Sequence, residues 1–197
     1  MTALRPDLAV IAANVAAGTR VLDIGCGDGA LLASLRDGKG VDARGMEIDA
    51  ALVAECVARG LSVVQGDAER ELADYPDGAF DYAVLGQTLQ TAMRPDLLLV
   101  ELLRVGRTAF VSFPNFAHWR TRAALMFGGR MPVTRALPVS WYETRNLHHV
   151  TVADFEALAG DLGIALRRRW FFTGDKALSG PGANWRAELE LFELTRR

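Results

Sequence analysis

The chain has 197 residues, half of them apolar, with 22 basic and 24 acidic side chains and a formal net charge of −2. That length suits one domain over residues 1–197 carrying an insertion, and the near-neutral balance argues against a surface built wholesale for nucleic acid. No apolar run reaches the length that spans a bilayer, Met1 to Pro6 lacks the pattern of a secretory leader, and two cysteines outside any metal-ligand spacing suit a reducing cytoplasm.

Pro6 and Asp7 suit the first turn of a helix, which Leu8 to Ala17 continues and Gly18 stops. Arg20 to Gly25 reads as a buried strand running into a glycine loop, with a helix beginning at Leu31. A second strand ends at Gly45-Met-Glu-Ile-Asp49, Ala50 to Arg59 is helical, and Leu61 to Gln65 is a third strand. Phe80 to Leu85 is a fourth strand, Pro95 to Arg104 a helix, and Thr108 to Phe113 a fifth strand. Alternation at this spacing predicts an α/β fold with a doubly wound, mainly parallel sheet.

The alternation stops at 114–150, which holds three prolines, two adjacent glycines and two tryptophans. This stretch reads as an insertion, part helix and part loop, and is too aromatic to be disordered. Thr151-Val-Ala-Asp154 resembles a capping box and opens a helix to about Leu162. Ala165 to Phe172 and Arg186 to Thr195 are the last two strands, joined by a turn-rich loop over Gly174 to Asn184. With no helix between them they must be antiparallel. The expected sheet has seven strands, the last antiparallel.

Charge is unevenly distributed. Residues 1–104 carry a balance of −7, residues 105–150 a balance of +5 from six arginines against Glu143, and residues 151–197 are neutral. The acidic half and the basic segment are expected to serve different partners.

The chemistry concentrates in Asp23-Ile-Gly25-Cys-Gly27-Asp-Gly29-Ala30, between a strand and a helix. Glycines there allow a tight turn and close approach of a ligand to the backbone. The spacing Gly25-x-Gly27-x-x-Ala30, with Glu47 at the second strand end, also satisfies a dinucleotide fingerprint, so the pattern alone leaves both ligands open. Charge decides between them. A dinucleotide puts its pyrophosphate at this helix start, where Asp23 and Asp28 would repel it. S-adenosylmethionine has no phosphate and carries a sulfonium and an ammonium. Glu47 suits the two ribose hydroxyls, and Asp67 suits an adenine amino group; the alternative is that both acids only cap the following helices. A Walker loop is excluded because no Gly-Lys-Ser/Thr follows.

Val21 to Ala30, with Glu47 and Asp67, resembles the class I S-adenosylmethionine-dependent methyltransferases. Val84-Leu-Gly-Gln-Thr-Leu-Gln90, Leu103-Arg-Val-Gly-Arg107, Val111-Ser-Phe-Pro-Asn-Phe116 with His118-Trp119, Gly129-Arg-Met-Pro-Val-Thr134 and Trp141-Tyr142 resemble the bacterial methionine-biosynthesis family MetW. That similarity runs from about Arg5 to Arg169. It implies a methyltransferase-like fold, S-adenosylmethionine or S-adenosylhomocysteine as ligand, and a homoserine O-acyltransferase as partner. It supplies no methyl acceptor. The cofactor-binding set expected on these grounds is Asp23, Gly25, Cys26, Gly27, Asp28, Gly29, Glu47, Ile48, Asp67, Ala68, Leu85, Gly86 and Gln87.

No catalytic residue can be assigned. Gln87, Thr88 and Gln90 near the fourth strand end could orient an acceptor but are too weakly basic to deprotonate one. Cys26 and Cys56 read as packing residues. His118, His148 and His149 are the only histidines; each is a candidate base or a partner of loop backbone. Adjacent His148 and His149 without a carboxylate cluster do not make a metal site. The arginines and aromatics of the insertion suit a substrate lid or a protein contact, with a solvated rim and RNA as the alternatives. The leading reading is therefore a MetW-like protein that binds S-adenosylmethionine and acts with the acyltransferase. The alternative is an active methyltransferase on a small molecule. A homo-oligomer is compatible with either.

Overall fold

The computed structural model describes residues 4–197, so the leader reading rests in part on residues outside it. The chain runs α1 (Pro6–Asn14), β1 (Arg20–Ile24), α2 (Ala30–Lys39), β2 (Asp42–Glu47), α3 (Ala50–Ala58), β3 (Ser62–Gln65) and the short α4 (Ala68–Glu71). It continues with β4 (Phe80–Gly86), α5 (Pro95–Val105), β5 (Gly106–Pro114), α6 (Trp119–Gly128) and α7 (Val152–Asp161). It ends with β6 (Ile164–Thr173), β7 (Lys176–Leu178), the short α8 (Ala183–Arg186) and β8 (Leu189–Arg196).

One sheet takes all eight strands in the order β3-β2-β1-β4-β5-β8-β6-β7. The first five are mutually parallel, and β8 is antiparallel to both β5 and β6. The doubly wound plan and the antiparallel last strand are as expected; the strand count is eight rather than seven. The extra strand, β7, folds back on β6 through the two-residue turn Gly174-Asp175, where Gly174 adopts φ +55°. A three-residue pairing of this kind leaves little hydrophobic signal in a sequence already rich in turn residues.

Other boundaries move for identifiable reasons. α1 stops at Asn14, not Ala17, because Val15 is extended and the Lys39 ammonium takes the freed carbonyls of Ala13 and Val15. Arg186 closes α8 rather than opening the last strand. The Asn115 amide donates to the Asn184 and Ala187 carbonyls and holds this stretch away from the ladder. At α7, Thr151 Oγ1 accepts the Asp154 N–H at 3.1 Å while its own proton goes to the Asp154 carboxylate at 2.6 Å.

The central strands are apolar on both faces, as parallel strands covered on two sides must be. Val21, Val84, Phe110 and Leu191 face α1 and α2; their neighbours Leu22, Leu85, Val111 and Phe192 face the core that includes α5 and α7. Phe155 of α7 lies 4.9 Å from Phe113 and 4.8 Å from Phe192, ring to ring. Burying each such ring contributes about 1.5–3 kcal/mol. That packing fixes the strand ends on which the site is built.

Candidate functional site

From β1 the chain winds outward through β2 and β3, then returns to β4 and β5 on the other side. The reversal opens a crevice beyond the carboxyl ends of β1 and β4, where doubly wound sheets take ligands. The cavity there is about 390 Å³. Six of the residues proposed from sequence line it: Gly25, Glu47, Ile48, Asp67, Ala68 and Gln87. Met46, Leu52 and Gly66 beside them were not among the expected residues; Arg145, one of the insertion arginines expected in a lid or a contact surface, also lines the crevice.

The three loop glycines are all left-handed, with φ of +69° at Gly25, +57° at Gly27 and +72° at Gly29, but their open sides serve different ends. A Cβ on Gly25 would lie 2.4 Å from Thr88 Oγ1, and one on Gly29 would lie 2.5 Å from Leu61 Cδ1 and 2.9 Å from Cys56 Sγ. A Cβ on Gly27 would meet nothing within 4 Å. Gly25 and Gly29 therefore make room for the protein's own side chains. Only Gly27 leaves free space beside the backbone.

The acids divide by role. Glu47 is buried, and its two oxygens accept the Gly27 N–H at 2.9 Å and the Asp49 N–H at 3.0 Å, tying the glycine loop to the turn after β2. Each oxygen keeps a further lone pair. Asp67 lines the crevice and also caps α4, accepting the Glu69 N–H at 3.1 Å, so lining and capping coexist there. Asp28 is exposed and accepts the Ala30 N–H at 3.1 Å. It thereby occupies the helix start with the chain's own carboxylate, leaving that terminus poorly suited to a phosphate.

Asp23 is 3% exposed. Burial pushes its carboxyl up to about 7; Arg5 opposes the rise, while the charges of Asp7 and Glu47 add to it. Asp7 is itself fully buried, accepting the Ser112 hydroxyl at 2.7 Å and both ends of the Arg5 guanidinium at 3.2–3.3 Å. Arg5 also donates to the Gly86 carbonyl at 3.3 Å. Sequence reading gave Arg5 no role, since nothing local marks a residue before a helix as a neighbour of a strand end 81 positions away.

The other seven proposed residues, Asp23, Cys26, Gly27, Asp28, Gly29, Leu85 and Gly86, do not line the crevice. Cys26 packs with Leu32, Cys56 and Leu61, and burial raises its thiol above the ordinary range. Leu85 is fully buried in the core. Gly86 packs on its Cβ side toward Leu8 and Arg5. Gln87 adopts φ +62°, the one left-handed non-glycine among the described residues. It is held there because its N–H donates to the Ser112 carbonyl at 3.0 Å and its carbonyl accepts from the Gln90 side chain at 2.7 Å. None of the three histidines lines the crevice. Burial lowers the His118 imidazole below its ordinary value. Among the described residues, no group of three or more His, Cys, Asp or Glu side chains is placed to hold a metal ion.

The insertion crosses the crevice mouth. Leu147 and His148 donate their backbone N–H groups to the Gln90 carbonyl, and Arg145 reaches Asp49 at 3.8 Å. Several arginines of the basic segment 105–150 face acids of the same molecule: Arg107 lies 3.8 Å from Asp81, Arg120 lies 3.9 Å from Glu188, and Arg135 pairs with Asp175 at 2.6 Å. The expectation that acidic and basic segments serve separate partners is thus revised for these residues. A second cavity, about 500 Å³ and largely apolar, lies inside the insertion between Phe116, Leu125, Met131, Trp141 and His149.

Comparison with solved structures identifies the architecture. A methyltransferase from Mesorhizobium loti, described as S-adenosylmethionine dependent, superposes with a TM-score of 0.72 over 97% of this chain and 98% of its own, at 17% identity. One from Archaeoglobus fulgidus gives 0.68 over 96% and 94%, at 15% identity. The chain has the fold of the class I S-adenosylmethionine-dependent methyltransferases. Within that class, the profile of the family "Methionine biosynthesis protein MetW" matches residues 5–194. The chain belongs to the MetW family. A relative from Rhodopirellula baltica, described as a bifunctional methionine biosynthesis protein MetXA/MetW, is 34% identical over 171 residues. The match covers 82% of this chain and 27% of that protein, so the chain corresponds to about a quarter of its length. No helix among the described residues is long and apolar enough to cross a membrane.

Proposed function

We propose that the crevice binds S-adenosylmethionine or its demethylated product, and that the chain, as a single domain with an insertion, works in methionine synthesis alongside a homoserine O-acyltransferase. The observation that carries the ligand assignment is the buried acidic group of Asp23, Asp7 and Glu47, set against Arg5 and closed to phosphate by Asp28. A cationic ligand beside Asp23 favours the ionised form that burial disfavours. Glu47 takes the ribose hydroxyls with its free lone pairs, and Ile48 and Ala68 border the adenine. Asp67 accepts its amino group, and Gly27 leaves room for the chain to pass. When bound, the cofactor supplies an electrophilic methyl group on sulfonium.

The acyltransferase partnership is supported by the fused relative and by α6. This helix buries only Thr121 and exposes Met126 (75%) and Phe127 (81%), with Trp141 (75%) and Tyr142 (70%) on the same insertion. Aromatic and methionine side chains of this kind suit a protein contact. Replacing Phe127 and Trp141 by serine together is expected to abolish co-purification with the acyltransferase at micromolar concentration while leaving S-adenosylmethionine affinity unchanged. A stable complex formed by the double variant would overturn the assignment of this face.

A second reading, methyl transfer to a small molecule, is favoured by one observation. A cavity of about 620 Å³ lies directly across Gln87 from the crevice. Release of S-adenosylhomocysteine from a metabolite screen would establish it.

A further inference from the structure

The cavity across Gln87, about 620 Å³, is larger than the crevice, and the chemical class of its ligand can be read from its lining. It opens between the start of α1, the ends of β4 and β5, the beginning of β8 and the 135–138 stretch of the insertion. Its wall toward the crevice is Gln87, which lines both spaces. Left-handed backbone at a non-glycine is a strain that surrounding structure must hold in place, and such positions gather at functional sites. Here Ser112 and Gln90 hold it.

The ionic lining is mixed in sign. Arg5 and Arg135 contribute two guanidiniums, Asp175 and Glu188 two carboxylates. Glu188 is the most buried of the four, with its side chain 16% exposed. One of its oxygens accepts the Gly174 N–H at 2.8 Å; the other faces Arg120 at 3.9 Å, too far for a hydrogen bond. That carboxylate has capacity for a further donor. Arg135 extends beside Gly174, where any Cβ would stand 3.1 Å from its Nη1, and pairs with exposed Asp175 through a single Nη2. Its other donors remain for an anion.

Each simpler ligand class fails on this lining. A dianion such as phosphate would face Glu188 and Asp175. A simple amine would face Arg5 and Arg135. An apolar molecule would cover Glu188, the most buried of the four, without giving its carboxylate a further donor. A molecule with one ammonium and one carboxylate satisfies both signs at once.

We propose that this cavity is a second ligand site, taking a small zwitterion of the α-amino acid class, with its ammonium on Glu188 and its carboxylate on Arg135. The site lies beside the cofactor crevice, but its existence does not depend on the crevice being occupied. Gln87 is the contact through which the two would sense one another.

The test titrates the full chain with each of the twenty genetically encoded amino acids up to about 10 mM, a range that captures weak metabolite affinities. Any amino acid that binds is then compared with its N-acetyl and methyl ester derivatives, which each lose one charge. We expect saturable binding of at least one free amino acid, weakened about tenfold or more in both derivatives and in Glu188→Gln and Arg135→Ala, with S-adenosylhomocysteine affinity unchanged in both variants. Absence of binding by every amino acid, equal binding of the derivatives, or competitive displacement by S-adenosylhomocysteine would each overturn the proposal. The derivative comparison uses the unaltered chain, so it decides the matter even if a variant fails to fold. Failure of the cofactor reading would appear separately, as no S-adenosylhomocysteine binding at all.

Discussion

Replacing Asp23 by asparagine perturbs the acidic group at its most buried member. In the free protein burial holds this carboxyl near pH 7. A ligand cation within roughly 5 Å, at an effective dielectric of about 20, attracts the ionised form by about 3 kcal/mol and lowers its pKa by about 2. Linkage then requires affinity for S-adenosylmethionine to rise as pH increases, by about tenfold between pH 6 and pH 8, with release of a proton on binding. Asp23→Asn removes that slope and weakens binding by about one order of magnitude at pH 6 and two at pH 8. The ligand's own α-amino group titrates in the same window, so the quantity to compare is the difference between the two proteins. Titration calorimetry in buffers of different ionisation enthalpy reads both the affinity and the proton. The sign for the free protein is opposite. Its folded pKa lies above the ordinary value, so this group's contribution to stability is present at low pH and lost as pH rises from about 4 to 7. Asp23→Asn should therefore raise the Tm of the free protein above pH 7. Parallel pH slopes for the two proteins would refute the reasoning.

Three further outcomes follow from the geometry. Gly27→Ala should cost about 1–2 kcal/mol through its positive φ and weaken cofactor binding sharply, read by thermal melts and by calorimetry. Gly29→Ala should lose more stability, because its Cβ would press on Leu61 and Cys56, with melts showing a larger drop in Tm than for Gly27→Ala. Glu190 in β8 is fully buried with neither carboxylate oxygen partnered, and burial raises its pKa well above the ordinary value. Its penalty accordingly grows as pH climbs past the usual carboxylate range, so Glu190→Gln should raise Tm at pH 8 by more than at pH 5.

Much of this arrangement was legible in the residues. Buried parallel strands announce themselves as apolar runs such as Val21 to Ile24, and the loop after them carries its own turn chemistry in Gly25, Gly27 and Gly29. Three acids on successive strand ends, Asp23, Glu47 and Asp67, point to a ligand bearing positive charge. The structure sharpened each role: Asp28 closes the helix start, Asp67 caps while lining, and only one of three glycines leaves open space. What escaped was non-local. Arg5 and Arg145 reach the site by tertiary folding from segments whose local pattern says nothing of their destination. β7 is too short to carry periodicity, and Glu190 breaks the rule that a strand's buried positions are apolar. The insertion's arginines looked free because pairing with Asp49, Asp175 and Glu188 is invisible until the chain folds.

We propose that the crevice at the β1 and β4 ends holds an adenosyl cofactor bearing positive charge. Calorimetric titration of the purified chain with S-adenosylmethionine, alongside NADH and the Glu47→Ala variant, tests it most directly. One saturable site is expected for S-adenosylmethionine, weakened at least tenfold in Glu47→Ala, with no heat from NADH. No binding of S-adenosylmethionine at millimolar concentration, or preferential binding of NADH, would contradict it.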